Sequence, residues 1–252
     1  MIDLKGKVIL VTGGSRGIGA GIVETLVQAG ADVVVNYNSG GKEAAALAKR
    51  VGESQCRLVQ ADLGDIKGPQ KLWDEAVAWR GRVDVLVNNA AVRPSMGIDS
   101  SYEDFDDTWL KTLRINLISH AHLSRLAIQH WRKRKGGTMI SISSRPAFRG
   151  DRADFYHDGA SKAGLTALAR GIARFEAEHN IMSFVVVPGM IASEQLDDFI
   201  RHYGHDEAVK EIPLRELGKP RDVAVVVAFL ASGLARYSTG ATFDVNGASY
   251  IR

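Results

Sequence analysis

Short apolar runs rich in β-branched residues recur along the chain, and longer stretches with helical periodicity separate them. Alternation of this kind predicts βαβ units and a parallel sheet. Two of the runs, within residues 83–87 and 184–187, are almost wholly apolar, which is typical of strands that are covered on both faces. The predicted strands are residues 7–12, 32–36, 57–60, 83–88, 138–143, 182–187 and 241–245.

The intervening segments predict helices on both faces of the sheet. A single α/β domain over residues 1–252 is expected, with a Rossmann-type, doubly wound, seven-stranded parallel sheet. Residues 190–220 depart from the alternation of strands and helices. We interpret them as a small helical lid, because ligands bind beyond the carboxyl ends of the strands in a doubly wound sheet. The predicted helices are residues 17–29, 41–51, 66–79, 103–134, 158–178 and 221–231, the fourth broken near Lys111.

Composition narrows the function classes. No segment reaches the roughly 18 apolar residues that a membrane span needs, and the amino terminus lacks the pattern of a signal peptide. We therefore expect a cytoplasmic protein with no membrane partner.

The basic residues behind the net charge of +3 are spread along the chain, and the densest basic run, 132–135, ends a helix, so no nucleic-acid partner is expected. Cys56 lies in an apolar run and is expected to be a buried, inert thiol, and no metal site is predicted.

A glycine-rich turn follows the first predicted strand directly. Residues 12–19 read Thr-Gly-Gly-Ser-Arg-Gly-Ile-Gly and open a helix. Glycines there allow a tight turn and let a pyrophosphate approach the helix N-terminus. The strand before the turn, and the helix and second strand after it, are the context that a dinucleotide site requires.

The end of the second predicted strand bears on the choice of cofactor. An acidic residue there would bond the ribose hydroxyls of NAD, but the strand ends Val35-Asn36-Tyr37-Asn38. Arg16, within the glycine turn, adds a guanidinium that can pair with a phosphate. These features favour NADP(H) over NAD(H).

The spacing Thr-Gly-x-x-x-Gly-x-Gly resembles that of the short-chain dehydrogenase/reductase family, and the resemblance covers most of the chain. Similar motifs are Asn88-Asn89-Ala90-Ala91, Asn116 within Arg-Ile-Asn-Leu, Pro188-Gly189 followed by Ser193, and Val245-Asn246-Gly247. The resemblance implies a homotetramer or a homodimer, with helices 103–134 and 158–178 at one interface. It also implies cofactor contacts from Gly13, Ser15, Arg16, Gly17, Ile18, Gly19, Asn36, Asp62, Leu63, Asn89, Ala90, Lys162, Pro188, Gly189, Ile191 and Ser193.

The catalytic motif departs from the family pattern. Members of the family use Ser, Tyr and Lys, with Tyr and Lys four residues apart on one helix. Lys162 matches within Ala-Ser-Lys-Ala-Gly, but Asp158 stands four residues before it. Tyr156 stands six residues before Lys162, about 120° around a regular helix.

Two alignments remain open. Counting from Ser143 places Tyr156 at the family's usual interval of thirteen residues, and Tyr156 then serves as the acid/base if it lies in a turn before the helix. Counting from Ser144 places Asp158 in the tyrosine position. An ionised Asp158 would pair with Lys162 and accept a proton from an alcohol, but it could hardly donate one.

The leading hypothesis is an NADP(H)-dependent oxidoreductase that interconverts a small carbonyl compound and an alcohol. Tyr156 is its acid/base, Lys162 tunes Tyr156, Ser144 holds the carbonyl oxygen, and Asn116 orders a relay water. The alternative is a non-catalytic NADP(H)-binding regulator or scaffold with a degenerate site.

Residues near the predicted pocket allow two further expectations. His157 is expected at the surface. The arginines of loop 145–152 fit either an anionic substrate or solvated cations.

Overall fold

Seven parallel strands form one sheet in the computed structural model, which describes residues 2–134, 136–193, 196, 200–201 and 204–252. The strand order is β3-β2-β1-β4-β5-β6-β7, and every neighbouring pair is parallel. The predicted seven-stranded, Rossmann-type sheet is confirmed. Its strands are β1 Val8–Val11, β2 Asp32–Tyr37, β3 Cys56–Gln60, β4 Val85–Asn88, β5 Gly137–Ile142, β6 Ile181–Pro188 and β7 Thr242–Val245.

Helices cover both faces of this sheet. The predicted helix 103–134 divides at residue 114 rather than near Lys111, because a π-helical turn, Arg114–Ile118, joins its two halves. The described helices are α1 Gly17–Gln28, α2 Gly41–Val51, α3 Gly68–Arg80, α4 Tyr102–Leu113, α5 Ser119–Arg134, α6 Pro146–Arg149, α7 Tyr156–Glu176, α8 His205–Val209 and α9 Pro220–Ser232.

The core consists of two apolar layers, one on each side of the sheet. Successive residues of a strand point to opposite faces, so Ile9 belongs to the layer that includes α1 and α9, and Leu10 belongs to the layer under α3 and α5. Both side chains are fully buried. Two-sided burial is the physical reason for the continuous apolar runs in the sequence. Cys56 is buried as expected, and burial raises the pKa of its thiol to about 11.

The functional crevice lies where the strand order reverses. β1 has β2 on one side and β4 on the other, so the segments that leave the carboxyl ends of β1 and β4 diverge and open a crevice there.

The predicted lid, 190–220, falls partly outside the described residues, at 194–195, 197–199 and 202–203. Within its described part, Ile191 pairs with Gly218 in an isolated parallel bridge, and α8 lies between them in the chain.

Candidate active site

At three glycines of the turn after β1, a side chain would clash with neighbouring atoms or strain the backbone. Gly13 and Gly17 have φ angles of +60° and +54°, which favour glycine. A Cβ added to Gly19 would lie 2.1 Å from the carbonyl oxygen of Gly13. The amide of Asn89, after β4, donates to the carbonyl oxygens of Thr12 (2.8 Å) and Gly13 (3.0 Å) and holds the turn against β4.

Asn36, at the end of β2, braces the same turn from the other side. Its Oδ1 accepts a hydrogen bond from the Gly13 N–H at 3.2 Å, and its Nδ2 donates to the Ala61 carbonyl oxygen at 3.0 Å. Asn36, which is predicted to bind the cofactor, therefore also supports the backbone of the glycine turn.

A cleft of about 560 Å³ opens beside this turn, above the carboxyl ends of the strands. Of the predicted cofactor residues, Ile191 is not in the lining and is instead buried beside Gly218. The remaining ones, Gly13, Ser15, Arg16, Gly17, Ile18, Gly19, Asn36, Asp62, Leu63, Asn89, Ala90, Lys162, Pro188, Gly189 and Ser193, all line the cleft.

These residues fit a dinucleotide. The glycines at the start of α1 suit a pyrophosphate, because the backbone amides and the positive end of the helix dipole could approach it closely there. A Cβ atom on Gly13 or Gly19 would clash with neighbouring backbone atoms, so no other residue type fits at these two positions.

Helix α7 begins at Tyr156, so this tyrosine is on the helix and not in a turn before it. Tyr156 is expected to serve as the acid/base if it lies in a turn before the helix, and the structure does not meet that condition. The Tyr156 side chain is 49% exposed, and Tyr156 is not one of the described residues that line the cleft. Asp158 and Lys162 do line it, one helical turn apart on the same face.

Asp158 is buried within a set of polar partners. Its Oδ1 accepts a hydrogen bond from Asn116 Nδ2 at 3.3 Å, and its Oδ2 lies 3.2 Å from Arg93 Nε. Burial raises the pKa of the Asp158 carboxyl, and the positive charges of Lys162 and Arg93 oppose that rise.

Lys162 is equally buried. Its Nζ donates to the carbonyl oxygen of Ile142, at the end of β5, at 2.9 Å. Burial lowers the pKa of the ammonium group, and the charge of Asp158 opposes that fall. Lys162 and Asp158 thus form a coupled pair in the cleft wall.

Comparison with known proteins identifies the family. A family model described as enoyl-(acyl carrier protein) reductase matches residues 13–248. This chain belongs to the short-chain dehydrogenase/reductase family. It is 32% identical over 256 residues to a 3-oxoacyl-(acyl-carrier-protein) reductase from Vibrio harveyi, covering 99% of this chain and 100% of that protein. It is 33% identical over 251 residues to glucose 1-dehydrogenase 2 from Bacillus subtilis strain 168, covering 97% and 95%.

A solved structure agrees with that assignment. A double mutant of a Serratia marcescens short-chain dehydrogenase/reductase superimposes with a TM-score of 0.86 at 31% identity, and the match covers 98% of each chain. The relatives are oxidoreductases by name, a reductase and a dehydrogenase among them.

Asn116 occupies the π-helical turn of this short-chain dehydrogenase/reductase and is fully buried. Its Oδ1 accepts from the Val92 N–H at 2.8 Å, and its Nδ2 donates to the Val92 carbonyl oxygen at 2.9 Å. Because both ends of the amide are held by the loop after β4, Asn116 has a fixed orientation towards Asp158. π-Turns of this kind are frequent at functional sites.

Both candidate serines lie at the cleft, in different environments. Ser143 is buried, and its hydroxyl is within hydrogen-bonding distance of the Thr166 hydroxyl (2.9 Å) and the Lys162 carbonyl oxygen (3.2 Å). Ser144 is half-buried in the cleft wall.

The expectation for His157 is corrected, and the structure distinguishes the arginines of loop 145–152. His157 is 1% exposed and not at the surface, because it faces inward on α7 and its Nε2 lies 3.0 Å from the Pro94 carbonyl oxygen. Arg145 is 6% exposed and its Nη1 has no hydrogen-bond partner in the described structure, so it is not a solvated cation. Burial lowers the pKa of Arg145. Arg149 pairs with Glu211 at 2.8 Å.

Sequence reasoning missed Arg93, which lines the cleft and contacts Asp158. The signal available was its position shortly after the Asn-Asn-Ala-Ala motif, since the loop after β4 enters the crevice. No cluster of three or more metal-ligating side chains occurs among the residues that the structure describes.

Proposed function

We propose that this protein is an NADP(H)-dependent oxidoreductase that interconverts an alcohol and a carbonyl compound, with Asp158 in the position of the family's tyrosine. One observation carries the proposal: Asp158 and Lys162 lie one turn apart in the cleft wall, whereas Tyr156 begins the helix outside the described lining. We therefore favour Asp158 over Tyr156 as the acid/base.

In this proposal Asp158 works as an ionised carboxylate, and the working direction is alcohol oxidation. Burial raises the pKa of its carboxyl, and the positive charges of Lys162 and Arg93 limit that rise. An ionised carboxylate accepts the proton of an alcohol hydroxyl and has no proton to donate to a carbonyl oxygen. When bound, the cofactor supplies the hydride acceptor for oxidation and the hydride donor for reduction.

The other residues have supporting roles in this proposal. Ser144 hydrogen-bonds the substrate oxygen, since the Ser143 hydroxyl is already engaged within the protein. Lys162 holds the nicotinamide ribose and balances the charge of Asp158. Asn116 orients the carboxylate through its bond to Oδ1.

The preference for NADP(H) rests on the charges at the adenosine end of the cleft. Arg16 lines this end, together with Ser15, Asn38 and Ser39. β2 ends at Tyr37 and so lacks the carboxylate that would bond the ribose hydroxyls of NAD at this position.

A pair of variants tests the catalytic assignment. Asp158→Asn is expected to lower kcat for NADP⁺-dependent oxidation of an alcohol panel about a hundredfold or more, because it removes the proton acceptor. Tyr156→Phe, the matched control on the same helix, should stay near wild type. Quenching of protein fluorescence by NADPH should show that both variants keep the cofactor. Loss of activity in Tyr156→Phe alone would restore the displaced tyrosine as the acid/base.

A second function is favoured by the same contacts. Both oxygens of Asp158 already have partners in Asn116 and Arg93, which suits a non-catalytic NADP(H)-binding regulator or scaffold. Tight NADPH binding by the parent protein, with no turnover in either direction across broad alcohol and carbonyl panels, would favour this function.

We also propose a homotetramer or homodimer whose interface includes the helices 103–134 and 158–178. Leu110 on α4 and Phe175 on α7 support it, because both apolar side chains are more than half exposed. Among the described helices, none is long and apolar enough to span a membrane. A cytoplasmic location and a single domain stay predictions.

A further inference from the structure

Arg93 is held in the cleft wall by three groups at once. Its Nε lies 3.2 Å from Asp158 Oδ2, and its Nη2 donates to Asp151 Oδ2 at 2.9 Å. Its guanidinium carbon lies 3.5 Å from the centroid of the Phe155 ring, which fixes the plane of the group. Arg93 is thus a bridge between two carboxylates, stacked on an aromatic ring.

The charged groups that face Asp158 come from three elements. Lys162 and His157 lie on its own helix, Arg93 belongs to the loop after β4, and Asp151 belongs to the loop after α6. The pKa of Asp158 is raised by its burial and by the negative charge of Asp151, and it is lowered by Lys162, Arg93 and His157. Arg93 alone among these is in direct ion-pair contact with the carboxylate in the described structure.

We propose that Arg93 is a positioning residue that orients the Asp158 carboxylate towards the cleft and keeps it in its proton-accepting form. This inference rests on the proposed role of Asp158. A tyrosine in the same place is neutral in its resting form, whereas a carboxylate carries a full charge, so the ion pair with Arg93 suits an aspartate at this position. The arginine therefore serves the departure from the family motif.

The geometry requires an arginine and not merely a positive charge. A planar guanidinium can contact two carboxylates through different nitrogens while its face lies on a ring. The ammonium of a lysine is a point charge and can satisfy only part of this arrangement. Charge and orientation are therefore separable by substitution.

The pH dependence of alcohol oxidation tests the charge. Replacing Arg93 by Gln removes a cation beside Asp158, so the pKa of the carboxyl rises. As the pH falls, the carboxylate of the variant is then protonated at a higher pH than that of the parent and no longer acts as a base. The acid limb of the kcat profile is expected to move upward by about one pH unit. Arg57→Gln, at an exposed site on β3, makes the same change in net charge and should leave the limb in place. An unmoved limb in Arg93→Gln would overturn the inference.

Arg93→Lys separates orientation from charge. It should keep the acid limb near the wild-type position and lower kcat about tenfold, because the carboxylate is no longer held at a fixed angle. Full kcat in Arg93→Lys would overturn the positioning role.

A measurement without turnover distinguishes failure of this inference from failure of the proposed function. Asp158 can be titrated by NMR in protein labelled with ¹³C at aspartate carboxyls, with Asp158→Asn to assign the resonance. The apparent pKa of Asp158 should be higher in Arg93→Gln than in the parent and unchanged in Arg57→Gln. A higher pKa of Asp158 in Arg93→Gln, found in a protein with no turnover, would support the electrostatic coupling between Arg93 and Asp158. It would at the same time contradict the proposed catalytic role of Asp158. Equal titration in parent and Arg93→Gln would contradict the coupling, whatever the activity.

Discussion

At the level of single residues, the proposed chemistry depends on Asp158. This side chain lies one helical turn before Lys162, where the family pattern has a tyrosine, and a carboxyl is shorter and more acidic than a phenol. Arg93 and Asn116 both contact it. We propose that this set of contacts suits alcohol oxidation.

The proposed preference for NADP(H) also depends on a single residue, Arg16. Arg16→Ala is expected to weaken NADPH binding about tenfold and to leave NADH binding nearly unchanged, because charged hydrogen bonds to the 2′-phosphate are lost. Dissociation constants for the two cofactors, measured by fluorescence titration, check this prediction. Equal weakening for both cofactors would mean that Arg16 binds the shared part of the dinucleotide.

Among the secondary-structure elements, the helical segments that carry Asp158, Lys162 and Asn116 are positioned by their ends. α7 starts at Tyr156, which sets Asp158 and Lys162 on its inward face, and the π-turn before α5 turns Asn116 towards them. α5 itself is anchored at its far end by Trp131. The indole is buried, and its Nε1 donates to the Val83 carbonyl oxygen at 2.7 Å, just before β4.

This anchor can be tested through stability. Trp131→Phe should lower the free energy of unfolding by about 1–3 kcal/mol, because the buried Val83 carbonyl loses its donor. Trp79→Phe, at a half-buried site on α3 that packs against the same layer, is the comparison and should lower it by less. Denaturant unfolding of both variants gives the comparison. Equal losses would show that the indole hydrogen bond does not anchor α5.

At the scale of the whole molecule, the doubly wound topology gathers residues from distant parts of the chain at one crevice. The glycine turn follows β1, Asn89 and Arg93 follow β4, and Ser144 follows β5. Parallel strands bring all these ends to the same edge of the sheet. The outer surfaces of α4 and α7 then stay available for contact with a second copy.

Assembly makes a prediction at this scale. Leu110→Asp combined with Phe175→Asp should reduce the mass measured by light scattering to that of a smaller species, because two charges would be buried at the interface. Ile66→Asp, at an exposed apolar site before α3, should leave the mass unchanged. An unchanged mass in the double variant, for a parent that is oligomeric, would place the interface elsewhere.

Local patterns in the amino-acid sequence are enough to predict the sheet, the glycine turn and the family. Strands buried on both faces must be continuously apolar, and a turn with φ angles of +60° and +54° favours glycine, so both features are visible in local patterns. The sequence left Tyr156 and Asp158 open as alternatives, because the start of a helix depends on packing as much as on local propensity.

Three features became visible only in the folded chain: Tyr156 lies on α7, His157 is buried, and Arg93 contacts Asp158. Arg93 and Asp158 lie on separate elements, so no spacing along the chain reports their contact. A contact between distant segments exists only once the sheet has assembled, since the sheet alone decides which loops share an edge.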